Sequence, residues 1–271
     1  MRGQARLGEE KISKLLMEFS IPAIIGMVVN TLYNIVDRMY IGNIKDIGGL
    51  ALTGVGITMP IMTIIMAFGM LIGIGTSARI SLKLGEHKRE EAEKHLGNAF
   101  TLIIIASVLI TIIGLVFMHK ILGLFGASAD TEVYAREYMQ IIFFGTIFNM
   151  LSFGLNHSIR SDGSPKVAML SMLIGAGTNI ILDPIFIFVF GMGVRGAAIA
   201  TVISQIVSTI WILYYFTKGK SNLKIKREYL SLDKAIVLSI FSIGVSPFSM
   251  QIAQSIVQVL ANNALKTYGG D

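Results

Sequence analysis

The sequence predicts an all-α protein that crosses a membrane several times, and three observations carry that prediction. Of its 271 residues, 53% are hydrophobic and only 15% charged, where soluble chains carry about 25% charged residues. Its mean hydropathy is +0.68, and the apolar residues fall in runs of about 20, the length a helix needs to cross the hydrocarbon core. The charges gather in the short stretches between those runs. A net charge of +6 on such a chain does not indicate nucleic-acid binding, which needs a basic face on a soluble module. The absence of cysteine excludes disulfides, thiolate catalysis and Cys-type zinc or iron–sulfur sites.

The spans, in order, are Phe19–Ile41, Gly49–Ala78, Leu96–Met118, Tyr138–Ile159, Val167–Phe190 and Gly196–Thr217, with a seventh over Ala235–Leu265. Residues 1–18 lack the apolar core and small-residue cleavage site of a signal peptide, so insertion is expected to begin with the first helix. The second and seventh spans exceed one crossing and should tilt, kink or project, with Pro60 and Pro247 as kink sites. The sixth carries Ala197, Ala200, Thr201, Ser204 and Ser208 at three- and four-residue spacings, a small-residue stripe that lets a neighbouring helix approach closely.

Orientation follows from the loops. Lys and Arg number four in residues 1–18, five in 79–95, two in 160–166 and six in 218–234; the alternate loops hold Lys45, Lys120, Arg136 and Arg195. That asymmetry places the N-terminus in the cytoplasm. The stretch Arg79–His95 has a helical charge pattern and is expected to lie along the inner surface.

Placing Pro22 over Pro247 aligns residues 20–40 with 245–265 and sets Asn262 opposite Asp37. Six spans separate the copies, an even number, so both run in the same direction. Two parallel six-helix bundles are then expected, of which the chain holds the first and the opening helix of the second. The expected division is a cytoplasmic segment (1–18), a six-helix lobe (19–217), a basic cytoplasmic loop (218–234) and the first helix of an incomplete second lobe (235–271).

Two spans carry acids in their interiors: Asp37 in the first and Asp183 in the fifth. A bare carboxylate near the bilayer centre costs roughly 2.5–3.5 kcal/mol on insertion scales and usually faces a cavity. Asn179 precedes Asp183 by one turn and Tyr33 precedes Asp37 by one turn, so each shares its acid's face. The two helices read as walls of one polar pocket. Removal from water favours the neutral form of a carboxyl group, so such a site can exchange a proton for a cation. Arg38 points about 100° away from Asp37 around the helix, leaving a pairing or an outward-snorkelling reading open.

Four stretches resemble the multidrug and toxic compound extrusion (MATE) family, in its bacterial drug/cation antiporter branch: NTLYNIVDRMYIG, GTSARISLKLG, IRSDGSPK and NIILDPIFIFVFGMGVRGAAIATVISQ. The resemblance covers nearly the whole chain, and the closing YGGD resembles the run into a second lobe. It implies a V-shaped pair of lobes in a bacterial inner membrane, not an enzyme. It also implies export of organic cations or drugs against H+ or Na+ by alternating access. The residues it singles out here are Asp37, Asp183, Asn179, Asn156, Tyr33, Tyr138 and Thr201. Sodium, a hard ion, would take oxygens from Asp37, Asn179, Asp183 and Thr201, and the tyrosines would add cation–π contact. Asn156 reads equally as a helix-to-helix bond or cap, and Tyr138 equally as an interface tyrosine. Beyond lipids, organic cations and the missing lobe, no cofactor and no nucleic acid are expected.

Two alternatives remain. A flippase for a lipid-linked precursor should present several basic residues to bind pyrophosphate, whereas the spans offer Arg38 alone. An intramembrane aspartyl protease would use Asp37 and Asp183 as a dyad, but the flanking residues do not resemble those of such enzymes. The GMGVRG at 191–196 fits a dinucleotide fingerprint in letters only, since no strand precedes it.

Overall fold

The computed structural model describes residues 11–269; Arg2, Arg6 and the last two residues of YGGD lie outside that range. Helices α1 (Ile12–Gly42), α2 (Gly48–Ile57), α3 (Met59–Gly85), α4 (Arg89–Val116), α5 (Met118–Leu124), α6 (Ala129–Ser161) and α7 (Pro165–Pro184) follow one another, and a π-helical turn (Ile185–Val189) extends α7. Then come α8 (Gly193–Thr217), a 3-10 turn (Arg227–Tyr229) and α9 (Lys234–Tyr268). Among the described residues, seven stretches are long and apolar enough to span a membrane, with α2 and α3 together forming the second and α7 plus its π-turn the fifth.

The second span breaks at Thr58, whose hydroxyl bonds back to the Val55 carbonyl at 2.7 Å. Pro60 opens the new helix, where its missing N–H costs nothing. Pro247, the other expected kink site, leaves α9 unbroken. Residues 79–95 do not form a separate surface helix. They are the ends of α3 and α4, joined by a turn at Glu86–Lys88, because the apolar periodicity of both spans continues through the charged residues.

Helix α6 is the centre, in contact with α2, α3, α4, α7 and α8. A Ser128–Thr131 capping box starts it, and Met139, Phe143, Met150 and Leu155 are fully buried along it. The small-residue stripe of α8 is buried as expected, Ser208 donating to the Ser171 carbonyl at 3.0 Å. Helix α1 packs mainly on α7, and α9 mainly on α3. Gly244 meets the Leu71 carbonyl and Gly75 the Ile240 carbonyl so closely that a Cβ at either would collide with backbone. That contact beds α9 along α3.

The stretch between α8 and α9 is strapped to the bundle. Buried Glu93 accepts the Lys224 N–H at 3.2 Å and pairs with Lys226 at 2.7 Å. Asn98 accepts the Asp233 N–H at 2.8 Å, and Thr101 donates to the Leu230 carbonyl at 2.7 Å. Asp162, buried between α6 and α7, accepts at one oxygen from Tyr215 (2.5 Å), Ser221 (2.7 Å) and the Asn222 N–H (3.1 Å). Burial pushes its carboxyl above its ordinary pKa, against the pull of those hydrogen bonds.

Asp162→Ala should orphan three donors, at about 1–3 kcal/mol for an unsatisfied buried group. Tryptic cleavage at Lys218–Lys226 should rise accordingly. The folded state holds the Asp162 proton more tightly than the unfolded one, so this group's contribution is full at acid pH and is lost as pH rises through the raised value. Thermal unfolding followed by Trp211 fluorescence should therefore show a stability falling over that range, and Asp162→Asn should flatten the slope.

Candidate functional site

Four helices bring the predicted residues together. From α7 come Asn179 and Asp183, both fully buried, and from α8 comes Thr201, 6% exposed. From α1 come Asp37, 8% exposed, and half-buried Tyr33; from α6 comes Tyr138, 5% exposed. The Asn179 side-chain amide donates to Asp183 Oδ1 at 3.1 Å and to Thr201 Oγ1 at 3.4 Å. Asp37 and Asp183 are near neighbours across the α1–α7 contact, and Tyr138 stands near Thr201. Asp37 Oδ1, Asp183 Oδ2 and Asn179 Oδ1 are buried without any hydrogen-bond partner.

Local sequence explains the placement. The four-residue spacing stacks Asn179 under Asp183 and Tyr33 under Asp37. Pro184, next to Asp183, has no N–H to give the preceding turn, and the helix relaxes into the π-turn at Ile185–Val189. Such π-segments are frequent at functional sites.

A cavity of about 650 Å³ opens beside the cluster, within the range usual for small-molecule sites. Tyr33, Asp37 and Tyr138 line it; Asn179, Asp183 and Thr201 stand behind that lining. The cluster thus has a front acid that meets the cavity and a rear acid reached through it. Arg38 also lines the cavity, on the exposed side of α1. Asn156 is a correction to the predicted set. Its amide donates to the Ala168 carbonyl and Ser171 hydroxyl, both at 2.8 Å, tying α6 to α7. Its donors are spent on that helix contact, and it does not line the cavity. Asn262, opposite Asp37 in the repeat, bonds the Phe125 carbonyl at 3.3 Å instead.

Sequence reasoning missed the cavity's neutral lining: the carboxamides of Asn30, Asn34, Asn149, Gln205, Gln254 and Gln258, and the thioethers of Met59, Met62, Met66 and Met172. The readable signal was a pair of amides one turn apart inside two apolar spans, Asn30/Asn34 and Gln254/Gln258.

Among the described residues, seven apolar spans around a polar cavity, with one buried acid in its wall and a second close behind, define a polytopic α-helical membrane protein. The family model MatE matches residues 22–185, and the chain belongs to the MatE family, a family of transporters rather than enzymes. It is 32% identical over 263 residues to "Multidrug export protein MepA" of Staphylococcus haemolyticus, covering 96% of this chain and 57% of that protein. A solved chain named "protein A" superposes with TM-score 0.92 at 41% identity, covering 98% of this chain and 59% of its own length. A MOP superfamily transporter from Pyrococcus furiosus superposes with TM-score 0.89 at 31% identity, covering 100% and 59% respectively. The chain therefore spans somewhat over half the length of these relatives.

An apolar carbodiimide should modify Asp37, which meets the cavity, several-fold faster than Asp183, which has no exposed surface. Peptide mass spectrometry after a timed reaction checks the order.

Proposed function

We propose that this chain forms the ion-exchanging part of a secondary antiporter that exports organic cations or drugs against H+ or Na+ by alternating access. The Asp37–Asp183 contact carries the reading. Two carboxyl groups this close cannot both stay ionised, and a proton shared between them satisfies both. An organic cation entering the cavity meets Asp37 first and draws its charge, while the displaced proton leaves the pair; protonation from the other side reverses the step. Asn179 steadies the Asp183 carboxylate and donates to Thr201 as well, with Tyr138 standing beside them.

Sodium has support of its own: three buried oxygens without donors, on Asp37, Asp183 and Asn179, are acceptors of the kind a hard cation takes. The naming of the S. haemolyticus relative as a multidrug exporter supports the choice of substrate class. A second six-helix lobe would face α1 and α9 to complete the exchange. The Lys/Arg distribution supports a bacterial inner membrane with the N-terminus in the cytoplasm. The flippase reading has less support, since among the described residues the cavity's one cation, Arg38, sits beside Asp37.

Ethidium binding by the purified chain in nanodiscs tests the exchange. Proton and dye compete for one site, so affinity should rise with pH, by at most about tenfold per unit for one displaced proton. Asp37→Asn should weaken binding and abolish the pH dependence, and Asp183→Asn should flatten it. A Na+ titration at fixed pH separates the two coupling ions. Asp37→Asn binding with the wild-type pH profile would remove the pair from the mechanism.

A further inference from the structure

At the end of the bundle where α3 meets α4, α6 meets α7 and α8 stops, the cations fall into two groups. On the α3–α4 side four are neutralised within the chain. Lys83 pairs with Glu91 at 2.6 Å, Lys88 with Glu86 at 3.0 Å, Arg89 with Glu93 at 3.3 Å and Lys94 with Glu90 at 2.9 Å. On the α7–α8 side Lys166, Lys218 and Lys220 are exposed. Among the described residues none of these lysines pairs with an acid. The acid nearest to Lys166 in sequence, Asp162, is buried and already accepts from Tyr215, Ser221 and the Asn222 N–H.

Those bonds also gather the three lysines. By holding Ser221 and Asn222, Asp162 ties the α6–α7 turn to the stretch that leaves α8. The first turn of α7, with Lys166, thereby meets the end of α8, with Lys218. Lys224 donates to the Gly219 carbonyl at 2.7 Å, and the Gly219 N–H donates to the Tyr214 carbonyl at 2.8 Å. The chain therefore turns at once after α8, and Lys220 stays close to Lys218.

Apolar surface runs up to these lysines. Ile210 and Tyr214 precede Lys218 at four-residue steps, and Leu170 follows Lys166 by four; all three are exposed. Residues four apart share a helix face, so on each helix an exposed strip inside a membrane span ends at an unpaired lysine. A lysine so placed lays its methylene stem on the strip and lifts its ammonium to headgroup level. Basic sites of this kind between membrane helices hold anionic headgroups.

We infer that Lys166, Lys218 and Lys220 form a binding site for an anionic phospholipid, its phosphate at the ammonium groups and its acyl chains along the strips of α7 and α8. The paired cations of the α3–α4 side take no part. The site lies apart from the cavity and does not depend on the exchange reading.

Trp211 is the chain's single tryptophan, half-buried on α8 two turns before Lys218, and its fluorescence reports the lipid at this place. The purified chain in phosphatidylcholine vesicles is titrated with phosphatidylglycerol brominated on its acyl chains, or with phosphatidylcholine brominated alike. Both leaflets carry the same lipid, so the orientation of the chain does not matter. Each engaged lysine is worth about fivefold in affinity, so phosphatidylglycerol should quench with at least about that advantage. The triple variant Lys166→Gln, Lys218→Gln, Lys220→Gln should bring the two lipids to parity. Its quenching by phosphatidylcholine should stay unchanged, which shows that α8 still faces lipid. Lys83→Gln, Lys88→Gln, Lys94→Gln removes the same net charge and should keep the preference. Parity in the wild-type chain overturns the proposal, as does a preference that survives the first variant. Equal loss in the second variant overturns it too, because overall charge then draws the lipid. Soluble glycerol phosphate should leave the preference intact; if it abolishes the preference, the site holds free phosphate and the lipid assignment fails.

Discussion

The closeness of two buried acids, Asp37 on α1 and Asp183 on α7, constrains the rest of this structure. Buried like charges repel strongly where water cannot screen them, so holding both acids ionised side by side would be costly. Helix α1 packs mainly on α7, which makes that packing the ruler that sets the separation of the two acids. Gly26 contributes directly: a Cβ there would stand 2.8 Å from the Met172 sulfur, so the absence of a side chain lets α1 settle against α7. The amide of Asn179 and the π-turn after Pro184 fix the rear acid, while the front acid stays in touch with the cavity.

The buried polar groups are divided in depth. Asp183, Asn179 and Thr201 sit behind the cavity wall, and Asp37 and Arg38 stand in it among amides, thioethers and two tyrosines. An arrangement of this kind keeps costly buried charges few. Thioethers and uncharged amides make up much of the remaining surface.

Much of this was legible in the sequence, for definable reasons. The seven spans are a hydropathy signal, and bilayer thickness sets their length. Asp37, Asp183, Asn179 and Tyr33 could be grouped because a four-residue step keeps one helical face, and because acids inside apolar spans are rare. Tyr138 entered the candidate set through family resemblance, and Thr201 through that resemblance and its place on the small-residue stripe; the bond from Asn179 brings Thr201 beside Asp183. Asn156 shared the residue type but not the place: whether an amide faces a cavity or a neighbouring helix depends on rotation about the helix axis, and a lone residue does not reveal that. The Asn/Gln lining was passed over because uncharged amides in apolar runs read as helix-to-helix glue. The break at Thr58 and the continuity through Pro247 depend on packing against α6 and α3, information no local window contains.

Helix α9 has a double allegiance. In sequence it aligns with α1 at an offset of 225 residues, the pattern of an internal repeat. By attachment it belongs to the first copy, tied at its base through Asp233 to Asn98 and nested along its length by Gly75 and Gly244 against α3. The cavity wall that bears Gln254 and Gln258 is therefore fastened to the same bundle that holds the two acids.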